Sequence, residues 1–294
     1  MNKFVGFLRL MRLANIVTAI SDILAGIAIS HYFNHTNTSW TNVGLLVLST
    51  IGLYGGGVVL NDVYDADLDK VERPERPIPS GLIPKSQAAW LGGILLLIGV
   101  LAASGVALNP SGYIALLIVA SVNVYDKWAK HHVFFGPLTM GTCRGLNLLL
   151  GMSIIPVAIS VYYFLAFVPV LYIAAITMIS RGEVHGGKSK TLYAAGVFYS
   201  IVVAAIAYRA YLQDAIVYTV LFLVIFIGMV FPPLSRAIQK PEGKRIGLAV
   251  KAGVIALIAM NASWAAAFGM IYVAIAIIIL LPISLFLSKL FAVT

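Results

Sequence analysis

Ten apolar stretches, each about long enough to cross a bilayer, follow one another along the 294 residues. A membrane-spanning helix needs about 20 mostly apolar residues. Because only 11% of the residues are charged, the chain cannot offer water a polar surface on all sides. We therefore predict a single all-α domain over residues 1–294, a polytopic membrane helical bundle of about nine to ten transmembrane helices. The predicted segments are 13–32, 43–64, 86–107, 111–127, 135–158, 161–180, 191–210, 214–237, 246–265 and 268–289.

The charged loops indicate how these helices are oriented. Lys and Arg collect before the first segment and after the second, fourth, sixth, eighth and tenth, whereas the alternate loops hold only Arg209. Loops rich in Lys and Arg face the cytoplasm in most membrane proteins. The pattern predicts an integral protein of the bacterial cytoplasmic membrane, with both termini and the aspartate-rich loop on the cytoplasmic side.

The formal net charge of +9 is distributed over these short loops. This distribution indicates contact with anionic membrane lipids and predicts no nucleic-acid partner, since no soluble basic face is long enough to bind one. The single cysteine, Cys143, lies inside an apolar run, so we expect neither a disulfide nor a thiolate metal site.

An unusual acidic stretch, "NDVYDADLD", follows the second apolar segment. On a helix, Asn61, Asp62, Asp65 and Asp69 fall along one side, while Asp67 points elsewhere. Two unit charges about 6 Å apart repel by roughly 3 kcal/mol at an effective dielectric near 20, so such a stripe favours a bound cation. Carboxylate ligands at this spacing suit Mg²⁺, which commonly accepts its other oxygens from substrate phosphates. The alternative is a set of solvated loop charges.

Basic residues stand directly behind the carboxylates. The stretch "KVERPERP" supplies Arg73 and Arg76, whose guanidinium groups can bind phosphate oxygens with two parallel hydrogen bonds. A metal site and arginines at one membrane edge together indicate a diphosphate ligand. A calcium-binding EF-hand is excluded because the loop lacks the required glycine and glutamate.

The stretches "NDVYDADLD" and, shortly after it, "RPERPIPSG" resemble two motifs of the UbiA superfamily of intramembrane prenyltransferases. In that superfamily an aspartate motif is followed by an arginine–proline motif. The resemblance implies an all-helical bundle of about nine transmembrane helices around a central cavity. It also implies Mg²⁺-dependent transfer of an isoprenoid chain from a polyprenyl diphosphate to an aromatic or lipid-like acceptor. Within this resemblance, Asp62, Asp65 and Asp69 are the metal ligands and, with Asn61, the catalytic residues.

The resemblance extends to other helices. "YDKWAK" is similar to the family's fourth-helix ending, although Asp126 and Ala129 depart from the pattern. "CRGLNLLLG" is similar to the fifth-helix segment, and "RLAN" to the start of the first helix. The substrate-binding residues that the resemblance implies on these segments are Tyr125, Lys130, Arg144, Asn147 and Asn15, in addition to Arg73 and Arg76.

The loop after the sixth segment departs from the family pattern, in which a second aspartate-rich motif holds another Mg²⁺. Here "SRGEVHGGKSKT" contains Glu183 as its only carboxylate. This loop resembles that of the EboC-like branch of the superfamily and adds Arg181, Glu183 and Lys188 to the expected substrate-binding residues. Three alternatives remain: Glu183 and His185 hold one metal, the basic residues replace its charge, or the loop is vestigial.

Two charged residues are predicted inside the membrane. Asp22 lies in the middle of the first segment, where it either orients the acceptor or pairs with a polar group of a neighbouring helix. Arg144 lies more than a turn inside the fifth segment, so its expected partner is a diphosphate or a carboxylate.

The sequence thus predicts a prenyltransferase. An alternative is a non-enzymatic carrier or transporter of a lipid-like or aromatic compound on the same fold, which the missing second aspartate motif favours. A further alternative is an assembly partner whose cavity has lost its chemistry, but the complete first motif argues against it.

Overall fold

The computed structural model describes residues 2–34, 38–183, 186–187 and 189–291, and within them the secondary structure is helical with no β-strand. The all-α prediction is confirmed. The helices are α1 Lys3–Leu10, α2 Leu13–Ile29, α3 Trp40–Tyr64, α4 Ala66–Glu72, α5 Lys85–Val106, α6 Tyr113–Lys127, α7 Phe135–Met152, α8 Pro156–Tyr162, α9 Phe167–Ser180, α10 Ser189–Leu212, α11 Ile216–Gln239, α12 Gly243–Ala267 and α13 Ile271–Leu290.

All ten predicted segments lie on helices. Within the described part of the chain, eight spans are long and apolar enough to cross a membrane, or nine if α1 and α2, bent by 41° at their junction, count as one span. Helix α7 is not among them because its 18 residues include Arg144 and Asn147. Among the described helices, only one boundary differs from the prediction by more than three residues: α7 ends at Met152, not at residue 158, and the next span begins at Pro156 rather than at residue 161.

Helix α7 nevertheless runs the length of the bundle. Ser153, just beyond α7, donates a hydrogen bond to Ser111, just before α6, at 2.8 Å, so these two helices form an antiparallel pair. We call the end of the bundle that carries Asp62 and Asp69 the acidic end. Ser284, near the end of α13, donates to the backbone oxygen of Ala14 at 3.0 Å, so both ends of the described chain lie there.

The core lies around α2 and α12, which pack against each other and are each covered by α13. Both helices are rich in small residues, and most of their side chains are buried. Large aromatic side chains, among them Trp264 and Phe268, fill the space towards the end opposite the acidic end. In a bilayer, where lipid tails are as apolar as leucine, such close packing of small residues drives helix association.

The contact between α2 and α7 requires glycine at two facing positions. A Cβ atom at Gly26 would lie 2.3 Å from the backbone oxygen of Leu148, and one at Gly151 would lie 2.4 Å from that of Ile23. Neither neighbour is a side-chain end that can rotate away. This close approach places the polar residues of α7 directly against those of α2.

We predict that Gly151→Ala lowers the thermal unfolding midpoint, since the new methyl group forces the helices apart at a cost of roughly 1–3 kcal/mol. The matched control is Gly228→Ala in α11, where an added Cβ meets nothing within 4 Å. The measurement is scanning fluorimetry of both variants in detergent. Equal midpoints for the two variants would contradict the tight α2–α7 contact.

Candidate active site

The acidic stretch folds as a helix with one bend. Helix α3 ends at Tyr64, and Asp65, in a non-ideal helical conformation, joins it to α4. Hydrogen bonds continue across the bend, from the Asp65 amide to the Asn61 oxygen at 2.9 Å and from the Asp69 amide to the Asp65 oxygen at 2.8 Å. The near-helical path brings the side chains of Asp62 and Asp69 together on the inner side, as their spacing predicts.

Two arginines neutralise these carboxylates. Arg76 Nη1 lies 2.7 Å from Asp69 Oδ2 and 3.4 Å from Asp62 Oδ1, so both carboxylates converge on a single nitrogen. Arg12 Nη2 lies 2.8 Å from Asp62 Oδ1. Asp62 is only 6% exposed and Asp69 only 2%. Burying ionised carboxylates is costly unless they are paired, and the arginines meet that requirement.

Arg12 was not predicted as a site residue. It lies at the junction of α1 and α2 with φ +50°, a left-handed conformation that turns the chain between the two helices. Helix α1 is held in turn by Leu10, which packs against Ile78 and Ile83 of the loop after α4. The motif "RLAN" contains Arg12, but the family resemblance points only to Asn15 within it. The partner of Arg12, Asp62 on α3, is 50 residues away in sequence.

The remaining residues of the acidic stretch take other partners. Asp65 forms an ion pair with Lys130, and both side chains are largely shielded from solvent. Asn61 Nδ2 donates to Asp126 Oδ1 at 2.7 Å, while the other oxygen of this buried carboxylate has no hydrogen-bond partner among the described residues. Asp126, which departs from the family pattern, therefore belongs to the site. The cluster brings Asp62 and Asp69 to one point and holds Asp65 against a separate cation.

Asp67 lies outside the cluster, as predicted. Its side chain is 75% exposed and pairs with Lys70 at 2.8 Å and, at 3.5 Å, with Lys85. The hydrogen bond from Lys70 holds the pKa of the Asp67 carboxyl below its ordinary value. Asp67 thus offers a control for any role of its neighbours.

A cavity of about 340 Å³ extends from this cluster into the bundle. Its walls are mostly apolar side chains of α3, α6, α7, α9 and α12. Polar groups lie at its two ends. The predicted site residues that line it are Asn15, Asn61, Tyr125, Arg144 and Asn147. The cavity is therefore an apolar chamber between the acidic cluster and a second, deeper polar network.

Asp22 is the centre of that deeper network. Its Oδ2 lies 2.7 Å from Arg144 Nη1 and 3.1 Å from Asn147 Nδ2, and its Oδ1 accepts from Asn261 Nδ2 at 2.7 Å. The carboxylate alternative for Arg144 is therefore the one that the structure contains, and Asp22 pairs with neighbouring helices. Asn261 was missed, although a polar residue in the middle of an apolar helix is a recognisable signal.

The rest of the network fixes Arg144 in position. Its Nη2 donates to Thr18 Oγ1 at 2.7 Å, and its guanidinium lies over the ring of Tyr54, 4.8 Å from the ring centre. Thr50 Oγ1 donates to Asn147 Oδ1 at 2.9 Å. With most donors already engaged, Arg144 presents a fixed charge and a polar edge to the cavity.

The loop after the sixth predicted segment lies near the acidic end but outside the central cavity. Glu183 is half-buried, which raises the pKa of its carboxyl, while the nearby Arg73 guanidinium acts in the opposite direction. Arg181 Nη2 donates to the backbone oxygen of His132 at 2.8 Å and lines a separate outer groove between α7, α9 and α10. Lys188 and His185 lie outside the described residues.

The donor set at the acidic cluster fits a small divalent cation with oxygen ligands. Within residues 2–34, 38–183, 186–187 and 189–291, no group of three His, Cys, Asp or Glu side chains is arranged as a metal-binding site. Mg²⁺, however, commonly uses only one or two carboxylates and takes its remaining oxygens from water and phosphate. Asp62 and Asp69 supply such a pair, since both already converge on one cationic nitrogen of Arg76.

A family model, the UbiA prenyltransferase family, matches residues 23–238, which include α3 to α10 and most of the two polar clusters. The chain belongs to the UbiA prenyltransferase family. The predicted superfamily is therefore confirmed, and the chain is an integral membrane protein. The assignment to the EboC-like branch stays a prediction.

Curated relatives of this UbiA-family chain include archaeal digeranylgeranylglyceryl phosphate synthases. That of Saccharolobus solfataricus is 32% identical over 146 residues, which make up 49% of this chain and 50% of that one. That of Ignicoccus hospitalis is 28% identical over 186 residues, 63% of this chain and 59% of that one. The chain spans about half the length of the curated relatives it matches.

Solved structures share the UbiA fold. A structure of digeranylgeranylglyceryl phosphate synthase covers 92% of this chain and 100% of its own, with a TM-score of 0.64 at 22% identity. The apo UbiA homologue of Aeropyrum pernix K1 covers 84% and 96%, with a TM-score of 0.66 at 14% identity. The Archaeoglobus fulgidus homologue bound to GPP and Mg²⁺ covers 86% and 99%, with a TM-score of 0.54 at 17% identity. At these identities the likeness establishes the fold.

We predict that Asp22→Leu and Arg144→Met each lower the thermal unfolding midpoint strongly, because each leaves a buried charge without its partner, at a cost of about 3–5 kcal/mol. The double variant should lose much less than the sum of the two. Thermal unfolding of the four proteins in detergent measures this coupling.

The exposed pair Asp67–Lys70 provides the control cycle, since such pairs contribute about 0–1 kcal/mol. Additive losses in the Asp22–Arg144 cycle, matching the behaviour of the exposed pair, would show that the two buried side chains do not depend on each other.

Proposed function

We propose that this protein is a Mg²⁺-dependent prenyltransferase that moves an isoprenoid chain from a polyprenyl diphosphate to a lipid-like acceptor within the membrane. The observation that carries the proposal is the convergence of two buried carboxylates on two arginines, one of which, Arg12, lines an apolar cavity. Membership of a prenyltransferase family supports the same reaction.

The acidic cluster is the proposed diphosphate site. Asp62 and Asp69 are the proposed ligands of Mg²⁺. Asp65 is held by Lys130 and Asn61 by Asp126, so the role of Asp65 as a third ligand stays a prediction. When bound there, Mg²⁺ would neutralise charge on the diphosphate oxygens. Arginine satisfies each carboxylate in the structure; with Mg²⁺ on the carboxylates, the same guanidinium groups would be available to phosphate oxygens.

Basic residues around the mouth stabilise the departing diphosphate in this proposal. Arg12, Arg76 and Lys130 all reach carboxylates of the cluster, and Arg73, at the end of α4, lies near Glu183. Charge accumulates on the leaving group as the allylic carbon–oxygen bond breaks. Fixed cations aimed at that point lower the barrier because they need no reorganisation during the step.

The cavity protects the allylic carbocation and holds the acceptor. Its apolar walls exclude water, which would otherwise hydrolyse the cation. The deeper network, in which Asp22 fixes Arg144 and Asn147, provides a rigid polar surface that can orient an acceptor. The names of the curated relatives, digeranylgeranylglyceryl phosphate synthases, favour a lipid-like acceptor over an aromatic one.

A carrier of a lipid-like compound is the second candidate. The loop after α9 lacks the second aspartate motif, with Glu183 as its only carboxylate, and this favours binding without chemistry. The two candidates differ in one respect: a carrier binds an isoprenoid diphosphate without releasing diphosphate from it.

We also propose that the acidic end faces the cytoplasm. The basic loops lie at this end, and so do both ends of the described chain, as ten passes require when α7 and the α1–α2 pair are added to the eight apolar spans. A bacterial source was predicted from the sequence, whereas the relatives compared above are archaeal. The bacterial source stays a prediction.

We predict that Asp62→Asn and Asp69→Asn each reduce Mg²⁺-dependent diphosphate release at least about a hundredfold, because each removes a ligand charge at the breaking bond. Asp67→Asn, on the same stretch but exposed, should keep the wild-type rate. The assay follows release from a panel of polyprenyl diphosphates, with and without chelator and candidate lipid acceptors.

Release that survives in both cluster variants, or is lost equally in Asp67→Asn, would refute the assigned metal ligands. Donor binding that requires Mg²⁺ and Asp62, without release under any acceptor condition, would identify the carrier instead.

We predict that Arg12→Gln lowers the rate of diphosphate release on the order of a hundredfold, since it removes a donor aimed at the leaving group. Arg12→Lys should recover part of the rate, because lysine keeps the positive charge but cannot form the two parallel hydrogen bonds of a guanidinium group. Lys3→Gln, on the exposed side of α1, is the control. A wild-type rate in Arg12→Gln would mean that Arg12 serves only to pair with Asp62.

A further inference from the structure

A second crevice lies on the outer surface of the bundle, between α11, α12 and α13. It has a volume of about 730 Å³. Its apolar walls include Leu248, Ile255 and Leu285, and we call it the outer crevice. The side chains of Leu248 and Leu285 are 59% and 41% exposed, so the crevice opens towards the surroundings of the bundle rather than into its core.

Three basic side chains border this crevice: Arg236 at the end of α11, Arg245 at the start of α12, and Lys251 farther along α12. Arg245 Nη1 donates to the backbone oxygen of Arg236 at 3.3 Å, which ties the two arginines' positions together. Lys251 is six residues beyond Arg245, or about 9 Å farther along the helix axis and towards the apolar part of the span.

These cations lack equivalent negative partners. Within the described parts of the chain, neither Arg236 nor Lys251 forms an ion pair, and Arg245 has only Glu242, at 3.7 Å. Glu242 is itself 64% exposed, so this contact is weak. The connecting stretch 236–245 contains four basic residues against one acidic residue. The mouth of the outer crevice is therefore strongly positive.

The outer crevice is separate from the candidate active site. Helix α12 divides them: Leu248, Lys251 and Ile255 face the crevice, whereas Val250 and Val254 line the central cavity. The basic residues of the crevice do not contact the carboxylates of the acidic cluster, which take Arg12, Arg76 and Lys130 as partners. A ligand in the crevice would lie against the outer face of a helix whose inner face encloses the cavity.

We propose that the outer crevice is a binding site for an anionic phospholipid. The headgroup phosphate binds to Arg236, Arg245 and Lys251, and an acyl chain lies along Leu248, Ile255 and Leu285. Charge complementarity selects the headgroup, since arginine and lysine near a membrane surface attract anionic lipids. The crevice has cations at its mouth and apolar side chains deeper in. This arrangement matches a lipid, which has a charged headgroup and an apolar chain, better than it matches a free anion or a free hydrocarbon chain.

The experiment is native mass spectrometry of the full chain in neutral detergent, titrated with phosphatidylglycerol or with phosphatidylcholine of the same acyl chains. The test variant combines Arg236→Gln, Arg245→Gln and Lys251→Gln. The control variant combines Lys3→Gln, Lys85→Gln and Lys127→Gln, which removes the same charge from exposed sites on α1, α5 and α6. We expect one tightly held phosphatidylglycerol in the wild type and the control, and an apparent Kd at least about tenfold higher in the test variant.

A further variant, Ala252→Trp, keeps every charge and fills the crevice beside Lys251. It should also raise the apparent Kd for phosphatidylglycerol, and it decides the outcome if the triple variant does not fold. The proposal is overturned if the control variant loses as much affinity as the test variant, if phosphatidylcholine binds equally well, or if Ala252→Trp binds as the wild type does. Displacement of the lipid by equimolar glycerol phosphate would overturn it too, because the apolar walls would then contribute nothing.

Discussion

The ion pairs among Asp62, Asp69, Arg12 and Arg76 determine how the acidic end is built. A buried carboxylate without a partner costs several kcal/mol, so two of them can be kept side by side only if cations reach both. Arg76 reaches them because the loop after α4 folds back under α1. Arg12 reaches Asp62 because the chain takes a left-handed turn between α1 and α2. Helix α1, the turn after it and the loop after α4 thus serve one electrostatic requirement.

Deeper in the bundle, the buried charge of Arg144 is paired with a single carboxylate, that of Asp22. Arg144 makes α7 less apolar than its neighbours, and the helix is held in place by close contact with α2 and by its partner Asp22. Asn147 and Asn261 complete the hydrogen bonding of that carboxylate. The apolar cavity lies between the two polar regions. This arrangement suits a donor with a charged head at the acidic cluster and an apolar chain in the cavity. A polar acceptor could then contact the deeper polar network.

Much of this organisation could be predicted from local patterns in the sequence. The apolar runs predict the helices because length and hydropathy are sufficient to identify a span. The spacing of Asp62 and Asp69 predicts that they share a helix face, and the structure brings them to one arginine. Family resemblance supplied further site residues, among them Lys130 and Asn147. Their expected roles in binding substrate stay predictions.

The rest depends on contacts between distant parts of the chain. Arg12 and Asp62 are 50 residues apart, and Asp22 and Asn261 are 239 apart. No periodicity relates such residues. For Arg144, the sequence left a diphosphate or a carboxylate as the partner, and only the packing of α7 on α2 identifies Asp22. Asp126 looked like a mere departure from a motif, although it bonds to Asn61 at the mouth of the cavity.

The most direct test of the diphosphate site is a structure of the protein with Mn²⁺ and a thio-substituted isoprenyl diphosphate, whose bridging sulfur resists cleavage. Anomalous scattering would locate the metal without assuming its ligands. The account predicts a peak bound by the carboxylates of Asp62 and Asp69, with Arg12 and Arg76 turned from those carboxylates to the phosphates. Metal and diphosphate bound elsewhere, with the four ion-paired side chains unchanged, would contradict it.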